Sequence, residues 1–297
     1  MGKVKPLIVF LMVVSSWPEF LVAQGITVQA DALIRNWEFE KAETLLQAER
    51  KRNPQDPKVY EMLGDLYGLQ KEWDEALENY KALLEFDSKN ANYHFKVGGV
   101  YGMMALENKL KALGILDDIK FHFARAAELD KKHLESRWAL IELYLELPGI
   151  VGGSYAKAYA YAEELYRIAP VEGYLAKGYI EDYRDNLGKA RESFTQAAAH
   201  MSRINNTYPR ENIHYQFGKI ASKYGINMEE GLRHLRHYES RYNPYSRIGL
   251  EWIYYHMAMI YKSLNEPENA MAYIQKSLRV VPGFEPAEAV RSMLESR

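Results

Sequence analysis

The chain of 297 residues is 47% hydrophobic and 26% charged, which supplies a substantial core and excludes a globally disordered protein. Its 38 basic and 40 acidic residues leave a formal net charge of -2, so no global field recruits nucleic acid or an anionic membrane surface. The absence of cysteine removes disulfides, thiolate catalysis and cysteine zinc sites, and the fold must stand on packing alone.

At the start of the chain Lys3 and Lys5 precede the apolar run Leu7 to Val14, and Leu21-Val22-Ala23 puts a small residue before Gln24. A charged region, an apolar region and a cleavable region in that order predict a secretory leader over residues 1–23. Ser15, Ser16, Trp17 and Pro18 break the apolar run, which is too short to cross the roughly 30 Å of a bilayer core. The expectation is an exported chain beginning near Gln24, periplasmic or secreted, without a membrane span in its mature form.

Beyond the leader, Gly64, Tyr67 and Ala76 are matched 34 residues earlier by Ala42 and 34 residues later by Gly98 and Tyr101. A 34-residue return of small and aromatic residues at fixed offsets predicts stacked helical hairpins. Aligned on the small residue of each second helix, the units are marked by Ala42, Ala76, Ile119, Ala158, Ala190, Gly231 and Ala270. First helices carry Leu63-Gly64, Val97-Gly98, Leu140, Lys177-Gly178, Phe217-Gly218 and Met257-Ala258. A small residue where two helices cross lets their backbones approach, and a large residue on the partner fills the gap. Leu46, Tyr80, Phe123, Phe194, Leu235 and Ile274 lie four positions after the second-helix marks, on the same face, and are the expected large partners. Pro54, Pro170 and Pro282 follow second helices, where they stop the helix. Extra residues near Met104 to Leu116 and around Pro148 to Ser154 predict two irregular loops.

These marks, clearest in Tyr60 to Ser88 with Leu63-Gly64, Tyr67, Trp73-Asp74-Glu75-Ala76 and Tyr80, resemble the tetratricopeptide repeat family. The resemblance implies an all-α, right-handed solenoid of about seven hairpins over residues 24–283. A C-terminal helix over 284–297, rich in Ala and Glu, caps it and keeps its end soluble. It further implies a non-enzymatic interaction scaffold whose first helices line a groove, chiefly through the fifth and ninth residue of each unit. In this chain those positions include Glu61 and Asp65, Phe95, Trp138 and Glu142, Tyr179, Tyr215 and Lys219, and Tyr255 and Met259. Aromatic side chains on such a face anchor peptides because they bury large area at small entropic cost.

Two other features compete for a chemical role. Leu147 to Ser154 is glycine-rich, but it follows a helix and lacks the Gly-Lys-Ser/Thr ending of a phosphate loop, so it reads as a connector with Ser154 capping the next helix. His234 and His237 are spaced for shared ligation, yet Arg233, Arg236 and Arg241 surround them, and a solvated basic face is expected instead of a metal site. No nucleophile elbow, zinc-protease helix or kinase motif is present. The reading is a scaffold that holds a protein or peptide partner, needs no cofactor and binds no nucleic acid. A carrier of a small apolar or aromatic ligand, an enzyme, and self-association through stacked ends stay open as alternatives.

Overall fold

The computed structural model describes residues 17–205 and 207–295. The expected leader lies outside the described residues up to position 16, and Trp17 to Ala23 belong to the first helix. Packing divides the chain into two units, one ending at Ala82 and one beginning at Leu83. Every regular element among the described residues is helical, with fifteen α-helices. None is long and apolar enough to cross a membrane.

The first unit contains α1 (Trp17–Arg35), α2 (Phe39–Arg52), α3 (Pro57–Gln70) and the start of α4 (Trp73–Phe86). Ala30 and Ile34 of α1 are buried, as are Ala42 and Leu46 of α2, so the small mark and the large residue four positions on share the inner face. Asp56 caps α3 by accepting the Lys58 backbone N–H at 2.9 Å, and Pro57 occupies the first helical position, where its missing N–H costs nothing. Gly64 lies directly under the Tyr80 ring, which a β-carbon would overlap. The Tyr67 hydroxyl donates to Glu43 at 2.8 Å and accepts from Gln47 at 2.7 Å, tying α3 to α2.

In the second unit the hairpins are α5 (Ala91–Glu107) with α6 (Lys109–Leu129), α7 (Leu134–Glu146) with α8 (Tyr155–Ile168), and α9 (Pro170–Tyr183) with α10 (Leu187–Ala198). They continue as α11 (Asn212–Tyr224) with α12 (Met228–Ser240) and α13 (Leu250–Ser263) with α14 (Pro267–Val280), and α15 (Glu285–Glu295) follows. The expected crossings are present: Gly98 against Phe123, Gly178 against Phe194, and Gly218 against Leu235. A continuous core runs through Ile141, Leu165, Leu175, Ile180, Phe194 and Phe217. At the far end Ala258 and Ile274 are covered by Ala287 and Val290 of α15.

Two expectations need correction. The extra residues near Met104 to Leu116 form no loop: α5 runs on to Glu107 and α6 starts at Lys109, so the insertion is absorbed as a longer hairpin with Asn108 at its turn. A segment rich in Ala, Leu, Lys and Glu favours helix there, and it contains no Pro. His234 is not on a solvated face, for it is fully buried, whereas its neighbours Arg233 and Arg236 are exposed. Its Nδ1 lies 2.7 Å from Nδ1 of His214 and its Nε2 lies 3.1 Å from the Met201 carbonyl. The glycine-rich connector is as expected: a short 3-10 turn spans Gly149–Val151, Gly152 adopts φ 100, and the Ser154 hydroxyl accepts the Lys157 N–H at 3.3 Å.

Candidate functional site

Within the second unit the first helices α7, α9 and α11 turn their faces toward one another. Lys223 of α11 pairs with Asp182 of α9 at 2.8 Å, and the Trp138 ring of α7 lies 6.2 Å from that of Tyr179 on α9. Between α7, the connector from α10 to α11 and the connector from α12 to α13 is a cavity of ≈ 230 Å³. Glu135, Trp138 and Glu142 line it from α7, Arg210 from the first connector, Asn212 from the start of α11, and Tyr245 and Arg247 from the second connector.

Its floor is a buried polar network. Glu172, fully buried on α9, accepts from the Trp138 indole N–H at 2.7 Å and from Arg210 Nε at 3.0 Å. Arg210 also donates to Gln216 at 2.8 Å and stands 4.8 Å over the Trp138 ring. A buried ion pair is tolerated only when its remaining polar atoms are satisfied, which Trp138 and Gln216 do here. Trp138 is therefore a wall fixed from below, with its indole N–H already spent.

The rim carries unspent charge. Glu142 keeps solvent contact yet sits in a concavity, where desolvation raises its carboxyl pKa against the lowering pull of Arg247, Arg210 and Lys219. Burial lowers the Lys219 ammonium, a loss that Asp182 and Glu142 partly offset. Burial also raises the Tyr179 phenol, and the nearby Glu142 charge adds to the shift. Arg247 is exposed, stands 5.7 Å over the Phe95 ring of α5, and makes no hydrogen bond or ion pair among the described residues. The Asn212 Oδ1 is buried without a hydrogen-bond partner.

The groove positions expected from the resemblance thus separate. Trp138 and Glu142 line the cavity, Phe95 reaches it through Arg247, and Tyr179 and Lys219 flank it. Tyr215 turns to the α13 side, where its hydroxyl lies 3.2 Å from His256 Nε2. Tyr255 and Met259 pack into the cluster closed by α15. Glu61 and Asp65 belong to the first unit, where Lys58 pairs with Glu61 at 2.8 Å and Asp65 accepts from the Tyr80 hydroxyl at 2.5 Å. The sequence reading missed Arg210, Tyr245 and Arg247, which sit on connectors outside the repeat phase, and Asn212 at the first position of α11. Spacing was the available signal, since Ala190, Gly231 and Ala270 stand 41 and 39 residues apart instead of 34. No group of histidine and acidic side chains that could hold a metal occurs among the described residues.

Consecutive antiparallel hairpins with small-against-large crossings define a helical-repeat protein. The comparisons agree: the TPR repeat family matches residues 64–104, and the tetratricopeptide repeat family matches residues 253–282. The chain is a tetratricopeptide repeat protein, of a class that generally serves as a protein–protein interaction scaffold and is typically non-catalytic. No curated protein sequence matches it. A tetratricopeptide repeat protein from Parabacteroides merdae is similar over 92% of this chain and 98% of its own, at 16% identity and a TM-score of 0.51. The Cut9–Hcn1 hetero-tetramer of the APC/C is similar over 90% of this chain and 48% of its own, at 14% identity and a TM-score of 0.55. The human IFIT1 dimer with m7Gppp-AAAA is similar over 86% of this chain and 54% of its own, at 14% identity and a TM-score of 0.52. The chain therefore spans about half the length of the latter two, and these likenesses concern the fold.

Proposed function

We propose that the concave face of the second unit holds an extended segment of a partner protein, and that the chain does so after export into the cell envelope. The observation that carries the binding reading is the cavity where Trp138, Glu142 and Arg247 converge, with aromatic walls fixed from below and charged groups left unspent at the rim. Aromatic area supplies affinity and the rim charges supply register. The mixed, charged lining suits a polypeptide better than a small apolar ligand. The IFIT1 structure is solved with m7Gppp-AAAA, but Glu135, Glu142 and Glu211 line the cavity here and repel phosphates. Export rests on Lys3 and Lys5, the apolar run Leu7 to Val14, and the small residue Ala23 before Gln24.

The test substitutes rim residues, because changing Trp138 would also strip a partner from buried Glu172. Cross-linked capture from a native envelope extract should fall with Glu142→Arg and with Tyr179→Ala, and persist with Glu192→Ala on α10. Capture indifferent to both rim variants, with the fold intact, would overturn the binding reading. A fusion of residues 1–30 to a reporter active only outside the cytoplasm tests export, and an inactive fusion would refute it.

A further inference from the structure

Arg247 occupies its place on the concave face in an unusual way. It belongs to the connector that follows α12, yet its guanidinium stacks on Phe95 of α5, 152 positions earlier in the chain, and contributes to the cavity beside Trp138 and Glu142. The connector beneath it is rigidly framed. Ile248 N–H donates to the Tyr238 hydroxyl at 3.1 Å, Tyr245 N–H to the Asn243 side chain at 2.9 Å, and Ser246 N–H to the Asn243 carbonyl at 2.9 Å. The side chain it presents is by contrast loosely held, by ring contact and long-range charge alone. A guanidinium on an aromatic face at an exposed site is worth only about 0.5–1 kcal/mol.

The groups left unspent around it are mainly acceptors. Glu142 makes no hydrogen bond or ion pair among the described residues. Glu135 has only His133 at 3.9 Å, and the Asn212 Oδ1 is buried without a partner. The other lining cation, Arg210, is saturated by Glu172 and Gln216. An aromatic floor under a ring of unpaired acceptors selects a cation carrying several N–H donors.

We propose that the face formed by Phe95, Trp138 and Glu142 recognises an arginine or lysine side chain of the partner segment, and that Arg247 occupies that position in cis until the partner displaces it. This rests on the peptide-binding reading above and names the chemistry of its ligand. Removing the Arg247 side chain exposes the acceptors without disturbing the frame of the connector, since the guanidinium supports none of its hydrogen bonds.

A synthetic peptide copying residues 241–249 supplies the same segment in trans, and its affinity can be read by fluorescence anisotropy on the full chain. The expected result is binding to Arg247→Ala about 10-fold tighter than to the wild type, a difference of about 1.4 kcal/mol. Adding Glu142→Gln to Arg247→Ala should abolish that gain, and a peptide with glutamate at the position of Arg247 should not bind either protein. Equal binding to wild type and Arg247→Ala, or no binding to either, overturns the proposal. So does tighter binding of the glutamate peptide to the wild type that Arg247→Ala removes, because Arg247 would then be part of the receptor. If partner capture still depends on Glu142 and Tyr179 in any of these cases, the peptide-binding reading stands and only the displaced-arginine account falls.

Discussion

Gly64 and Gly68 lie one turn apart on α3 and respond oppositely to the same substitution. Alanine normally stabilises a helix interior over glycine by roughly 0.8–1 kcal/mol. At Gly68 nothing lies within 4 Å of the added methyl, so Gly68→Ala should raise stability by about that amount. At Gly64 the methyl meets the Tyr80 ring, and overpacking of about 1–3 kcal/mol outweighs propensity, so Gly64→Ala should lower the thermal midpoint. Paired melting curves check both signs. His94 Nδ1 lies 3.0 Å from His122 Nδ1, as His214 lies 2.7 Å from His234. The Ser88 and Met201 carbonyls take the Nε2–H of His94 and His234, so a single proton joins the two Nδ1 atoms of each pair. Burial holds His214 down to about 3 and His234 to about 4, so both stay neutral in the fold while the unfolded chain gains protons below about 6.5. Stability is therefore full above pH 6.5 and is lost as pH falls toward 4 and 3. Urea midpoints should show that fall, and His234→Asn, which imitates Asn79 at the same phase of the second hairpin, should flatten it. A buried histidine and a solvated one look alike in one sequence, and only the matching phase of His94 and His214, and of His122 and His234, could have flagged them.

Among the elements, four of the seven hairpin turns share one geometry. Trp37, Lys71, Asp185 and Asn265 each adopt a left-handed φ near 60 and each stand five residues before a second-helix mark. The next N–H in each case returns to a carbonyl five residues back, as Glu72 to Tyr67 and Glu266 to Tyr261, both at 2.9 Å. This closure satisfies carbonyls that the helix end would otherwise leave open. A non-glycine residue pays for the left-handed conformation, so Lys71→Gly should stabilise the chain by up to about 1 kcal/mol in denaturant titration. The entries to the first helices share a device that hydropathy cannot reveal. Tyr60 donates to the Pro54 carbonyl at 3.1 Å, His94 to the Ser88 carbonyl at 3.1 Å, and Arg137 to the His133 carbonyl at 2.9 Å, so three chemically different side chains at one repeat position tie down the preceding connector. The helices were legible because burial imposes a period on composition, as at Ala190 and Phe194. The connectors were not, because Arg210 meets Glu172 across 38 residues and no local pattern encodes that pairing. Glu172→Gln should therefore cost about 3–5 kcal/mol by leaving the Arg210 charge uncompensated, far more than an exposed ion pair such as Lys58 with Glu61 contributes.

At the scale of the whole molecule, a repeat architecture lets each hairpin lean on its neighbours and leaves the ends exposed. In the second unit that end is closed by α15, whose Ala287 and Val290 cover Ala258 and Ile274. Deleting residues 284–297 should lower the thermal midpoint and increase binding of an apolar dye. Regularity builds the scaffold, and departures from it build the cavity, since the connectors bearing Arg210 and Arg247 are among the segments that lengthen the 34-residue spacing. Because the chain contains no cysteine, a single introduced thiol carries a photo-cross-linker to one known place. The account predicts that a probe at Ala139→Cys, on the cavity wall, captures the partner segment and that one at Glu192→Cys on α10 does not. Capture from position 192 with none from position 139 would contradict it.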